Sequence, residues 1–158
     1  MTVSSNVSDT IERDILIAAS AEKVWEVVSI PGWWINDGSA LDLSLIERIT
    51  EDRAIVHHPK HGDFLVERFD VDPPRAASFH WLVSGAEGPR IDVAEDQLPH
   101  TRVTLTLTPE PGGTRLSVVE SGFATAAVDP RVRRRAYEGN SEGWKIELGV
   151  VRAYVESA

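Results

Sequence analysis

The chain contains no cysteine, one methionine and two tyrosines in 158 residues. Without cysteine there are no disulfides, no thiolate metal sites and no thiol nucleophile, and nothing calls for an oxidising compartment. Basic charge is scarce: 16 Lys and Arg stand against 25 Asp and Glu, a net of -9. Such a field repels nucleic acid and anionic membrane surfaces, so neither is expected as a partner. No apolar run reaches the roughly 18 residues of a membrane span, and Met1 to Asp9 lacks the basic start and apolar core of a secretory signal. A cytoplasmic location is the expectation.

With 42% hydrophobic and 26% charged residues, the composition is that of an ordinary folded domain rather than a disordered chain. The expected organisation is a polar, frayed tail over residues 1–10 and a single domain over 11–158. Ile11–Ala18 alternates as a strand, and Ser20 caps a short helix to Ser29 with Val24, Trp25 and Val28 on one face. Pro31-Gly32 stops that helix, and Trp33-Trp34-Ile35 precedes a second breaker at Asn36-Asp37-Gly38.

Period-two patterning then predicts strands at Leu43–Ile49, Arg53–His58, Phe64–Val71, Ala76–Val83, Arg102–Thr108 and Thr114–Phe123, most of them separated by turn residues such as Pro111-Gly112-Gly113. The polar stretch Gly85–His100 reads as a long mobile loop. Asp129-Pro130 has the form of a helix start, with an interruption expected at Gly139-Asn140. Beyond it, Trp144, Leu148, Val151 and Val155 form an apolar stripe at i, i+4, i+7 and i+11. The result is an α+β fold: an antiparallel sheet of about six to seven strands, two short N-terminal helices and a long C-terminal helix. A sheet of that length curves, and one helix does not fill its concave face. A cavity is expected there.

Strand parity places Leu65, Glu67, Phe69 and Val71 inward on one strand, Ala77, Phe79 and Trp81 on the next, and Leu116, Val118 and Glu120 on the last. Trp33, Trp34, Trp81 and Trp144, four of five tryptophans, come from segments that converge around the cavity, where aromatic walls suit a flat apolar ligand. The candidate ligand-binding set is Trp33, Trp34, Glu67, Phe69, Phe79, Trp81, Val118, Glu120, Trp144 and Leu148. Glu67 and Glu120 break apolar stripes. Inside the cavity either would be a desolvated acid or base; near strand ends each would pair with an arginine such as Arg68 or Arg115.

His57, His58 and His61 invite a metal reading, but adjacent strand residues face opposite ways and no HExxH or cysteine completes a site. They are expected as solvated edge histidines, with no metal and no cofactor, and His80 as a structural residue on the outer face. The run Arg131, Arg133, Arg134 and Arg135 reads as a solvated helix face, the alternative being a receptor for an anionic group at the cavity mouth. No phosphate loop, nucleophile elbow or nucleotide fingerprint occurs, and no catalytic residue is assigned.

Several motifs in order, Ser20-Ala21-Glu22-Lys23-Val24-Trp25, Trp33-Trp34, Asp70-Val71-Asp72-Pro73-Pro74, Phe79-His80-Trp81, Thr114-Arg115-Leu116 through Glu120-Ser121-Gly122-Phe123, and Glu142-Gly143-Trp144 with Leu148 and Tyr154, resemble the activator of heat-shock-protein-90 ATPase homologue family. That family lies within the START-like and birch-pollen-allergen-like superfamily. The resemblance covers about Ile11 to Val155. It implies a helix-grip fold with a cavity between sheet and C-terminal helix, commonly open to small hydrophobic molecules. Chaperone activation belongs to members with a separate N-terminal domain, which is not expected here. Two departures bear on ligand preference: Ala21 replaces the usual proline after the first strand, and the loop Gly85–His100 is long and acidic.

Three functions follow as expectations. The first is binding of a small apolar or amphipathic molecule. The second is a protein-interaction module acting on a chaperone ATPase, and the third a cyclase- or dehydratase-like pocket enzyme using Glu67 or Glu120.

Overall fold

The computed structural model describes residues 10–36, 40–60, 62–82, 100–123 and 130–157. The tail expected over 1–10 lies outside this set but for Thr10, and the loop expected over 85–100 lies outside but for His100. His61, Asp37 and Gly38 are also outside it.

The elements are β1 (Thr10–Ile17), α1 (Ala21–Val28), β2 (Ile46–Arg48), β3 (Arg53–His58), β4 (Gly62–Asp72), β5 (Ala76–Leu82), β6 (His100–Glu110), β7 (Gly113–Ser121) and α2 (Pro130–Ser157). The seven strands form one antiparallel sheet in the order β1-β7-β6-β5-β4-β3-β2. Strands two to seven pair with their chain neighbours, and β1 closes the edge beside β7. The curved sheet, the long terminal helix and their α+β arrangement match the expected fold.

Local chemistry explains α1. Ser20 accepts from the Lys23 N–H at 3.2 Å as its N-cap, and Val24, Val27 and Val28 are buried. One clear N-terminal helix is present rather than two. Pro31 to Trp34 are turns, with Gly32 at φ +85°, where an added Cβ would collide with Val56. The chain thereby drops Trp33 and Trp34 into the core, at 0% and 3% exposure. The start of the strand expected at Leu43–Ile49 is instead a 3-10 turn, Leu43–Leu45, capped by the Asp42 side chain accepting from the Ser44 N–H at 3.0 Å.

The interruption expected at Gly139-Asn140 is absent: α2 runs unbroken for 28 residues. Its stripe Trp144, Leu148, Val151 and Val155 is buried on the sheet, and that burial outweighs the poor helix propensity of Gly and Asn. Polar ties add to it. The Arg13 guanidinium on β1 donates to the Ser141 carbonyl and hydroxyl at 3.1 and 3.0 Å, and the Ala18 N–H donates to the Glu156 carboxylate at 2.8 Å.

Strand β4 corrects the parity read from sequence. Val66 pairs with Ala54 and Trp81 and joins the core, whereas Glu67 pairs with Arg53 and His80 on the outer face. Leu65 and Val66 are both buried, at 1% and 0%, so hydrophobicity alone does not distinguish the two faces. A bulge between Arg68 and Asp70 then breaks the alternation. Phe69 there is 43% exposed and stacks on His80 at 4.1 Å.

The parity has a direct test. Val66→Ala should destabilise the protein by about 2 kcal/mol, the loss of two buried methyl groups plus a small cavity. Glu67→Ala, removing a partly exposed ion pair, should cost less than about 1 kcal/mol. Urea unfolding that reversed this ranking would restore the opposite face assignment.

Candidate functional site

Between the concave sheet and the middle of α2 lies a cavity of about 430 Å³. Its apolar wall is aromatic: Trp34 from the turn after α1, Phe64 from β4, Trp81 from β5 and Trp144 from α2. The rings brace one another, with Trp34 5.2 Å from Phe79, 5.8 Å from Trp81 and 5.5 Å from Trp144 between centroids. Phe64 meets Trp81 edge-on at 6.2 Å. Such offset and edge contacts fix ring positions beyond simple area burial.

The polar part of the wall comes from Asn36, His58, Asn140 and Glu147. The helix side is opened by Gly139 and Gly143, one turn apart, where an added Cβ would meet nothing within 4 Å. Bulkier residues at these two positions would narrow the space.

Glu120 on β7 points inward and is wholly buried. Thr101 on β6 donates its hydroxyl to Oε2 at 2.6 Å, Trp144 its indole N–H to Oε1 at 2.8 Å, and Asn140 its amide at 3.2 and 3.0 Å. The carboxyl thus joins two strands to α2. Trp33 and Trp34, by contrast, bury their indole N–H groups without an acceptor among the described residues, whereas a hydrogen bond orients Trp144. Burial pushes the Glu120 carboxyl above its ordinary range, and the hydrogen bonds from Thr101, Trp144 and Asn140 offset only part of that rise. When protonated, Glu120 can donate to the Thr101 hydroxyl while still accepting from Trp144 and Asn140. Among the described residues no arginine is its partner; Arg115 is held by Glu110 and Asp14.

The residues expected at the site therefore divide into three groups. Trp34, Trp81 and Trp144 line the cavity. Trp33, Phe79, Val118 and Leu148 are packed in the core and Glu120 is buried beside them, none forming part of the cavity wall. Glu67 and Phe69 are on the other side of the sheet, for the parity and bulge reasons given above.

His58 is a further correction. Far from being solvated, it is 7% exposed and lines the cavity; its Nε2 donates to the Asn36 carbonyl and its Nδ1 accepts from the Lys60 N–H, both at 3.0 Å. Its neighbour His57 faces outward between Glu47 at 2.8 Å and Asp63 at 2.9 Å, hydrogen bonds that raise its pKa. Among the described residues no three His, Asp or Glu side chains gather as a metal-ligand group. Arg131, Arg134 and Arg135 are exposed and do not line the cavity; the side chain of Arg133 lies outside the described set.

The Glu120 environment generates a pH prediction. Its folded-state pKa is raised above the unfolded value, so the fold binds this proton more tightly than the unfolded chain does. Its contribution is full below the ordinary glutamate value of about 4.3 and is lost as pH rises through the folded value. Glu120→Gln, which keeps the shape without the charge, should gain stability relative to the wild type as pH rises from 4 to 8. Urea unfolding at several pH values checks this, and a pH-independent difference would contradict it.

The family model described as Activator of Hsp90 ATPase homolog 1-like protein matches residues 18–156. No curated protein matches the chain. Among solved structures, protein MLL2253 from Mesorhizobium loti is similar with a TM-score of 0.67 and 23% identity over 94% of this chain and 98% of that one. The Aha1 dimer from Colwellia psychrerythraea gives 0.61 and 16% over 93% and 96%. DynU16, from the dynemicin biosynthetic locus, gives 0.63 and 20% over 95% of this chain but 48% of its own. At such identities these likenesses concern the fold, while the family match spans most of the sequence. The chain belongs to the Activator of Hsp90 ATPase homolog 1-like family.

Proposed function

We propose that this protein binds a small amphipathic molecule in the cavity between α2 and the concave sheet. The observation that carries this reading is the 430 Å³ space bounded by Trp34, Phe64, Trp81 and Trp144 and left open by Gly139 and Gly143. A half-open space of this size within an aromatic frame suits a small ligand. Two glycines within a helix each cost roughly 0.5–1 kcal/mol relative to alanine. Their position at the cavity wall is consistent with a selected opening.

The family description supplies a second reading, action on a chaperone ATPase. On this chain its support is the outer face of the sheet, where Phe69 and Val119 are 43% and 36% exposed. Single exposed apolar residues are common, which makes this the weaker reading. The enzyme reading loses Glu67, which faces away from the cavity, and keeps Glu120 only as a group that reaches it through Asn140 and Trp144.

N-phenyl-1-naphthylamine, a neutral apolar fluorophore, should bind the native protein saturably at one site. Gly143→Leu should weaken that binding by about tenfold or more while leaving thermal stability equal or higher, because leucine is the better helix former. No binding to the wild type, or equal binding by the variant, would contradict the cavity reading. A chaperone docked on the outer face would instead be released by Phe69→Asp and be indifferent to Gly143→Leu.

A further inference from the structure

The charge and hydrogen-bonding of the cavity wall narrow the class of ligand. Glu147 on α2 is 7% exposed and is the one Asp, Glu, Lys or Arg among the described residues of the wall. Its orientation is held through a relay. The Lys60 N–H donates to His58 Nδ1, His58 Nε2 donates to the Asn36 carbonyl, and the Asn36 amide donates to Glu147 Oε1 at 2.9 Å. That amide cannot swing away. It also donates to the Trp33 carbonyl at 2.7 Å, and its Oδ1 accepts from the Asp42 N–H at 3.1 Å.

A preset carboxyl group thus stands in a wall whose other described side chains are three indoles, a phenyl ring, Ile35 and the uncharged amides and imidazole of Asn36, Asn140 and His58. Aromatic faces carry negative potential and attract cations, most strongly when water is excluded. No lysine or arginine side chain among the described residues lines the space to receive an anion, and the whole chain carries -9. Both fields favour one sign of ligand. We propose that the cavity selects an amphipathic molecule bearing a protonated amine, its ammonium against Glu147 and its apolar body among Trp34, Phe64, Trp81 and Trp144. This deepens the ligand-binding reading above and rests on it.

Three probes of near-identical shape separate the two claims: 2-(1-naphthyl)ethylamine, 2-(1-naphthyl)ethanol and 1-naphthaleneacetate, titrated calorimetrically into the full chain at pH 7. The amine should bind about tenfold or more tightly than the alcohol, and the carboxylate most weakly. Glu147→Gln should bring the amine down to about the affinity of the alcohol. If the alcohol equals the amine, or the carboxylate binds best, the amine inference falls while the cavity reading stands. If none of the three binds and N-phenyl-1-naphthylamine does not either, the cavity reading fails and takes this inference with it. Should Glu147→Gln not fold, the wild-type ranking alone decides; a folded variant that keeps the amine preference overturns the role of Glu147.

Discussion

The contact on which the architecture turns is the one made by the Glu120 carboxyl beneath α2. A helix lying on a sheet through apolar contacts alone is free to slide, because hydrophobic attraction has no direction. Glu120 supplies direction: Thr101 holds it from the neighbouring strand, and it receives Asn140 and the Trp144 indole from one turn of α2. Leaving such a carboxyl buried without partners would cost several kcal/mol, so register between helix and sheet is specified by what happens if it is lost.

That register sets the shape of the space beside it. With Trp144 hydrogen-bonded at its nitrogen, its ring braces Trp34 and faces Trp81 at 6.4 Å. The turn through Gly32 delivers Trp34 from the opposite side. The same turn of helix that presents Asn140 to Glu120 presents Gly139 and Gly143 to the cavity, and the following turn presents Glu147. One polar anchor, one ring of the aromatic frame, a gap in the helix surface and a carboxyl group are therefore features of a single stretch, residues 139–147.

Much of this was legible in the sequence because it depends on period. The strands of the meander, the α2 stripe from Trp144 to Val155 and the inward direction of Glu120 all follow from spacing, and the ordered motifs matched the family that the comparison returned. What stayed hidden depends on competition between equal signals. Leu65 and Val66 are adjacent and both buried, so the choice of face on β4 falls to partners three-dimensionally distant, and the bulge at Phe69 leaves no mark in composition. Gly139-Asn140 reads as a break by propensity, and only the buried acceptor on β7 turns Asn140 into an anchor. His58 was within reach: Ala54, Val56 and His58 form a period-two stripe on β3 whose first two members are core residues. Asn36 was not, since its role is a matter of hydrogen bonds from a turn.

The most direct measurement of the central anchor is hydrogen exchange at the Trp144 indole, followed in ¹H–¹⁵N spectra and assigned by Trp144→Phe. A hydrogen bond to a fully buried carboxyl predicts that this indole proton persists in D₂O about as long as the amides of strand β7, opening only with the helix. Exchange on the timescale of an exposed indole would show that α2 is not pinned by Glu120, and the account of the cavity built upon that contact would be wrong.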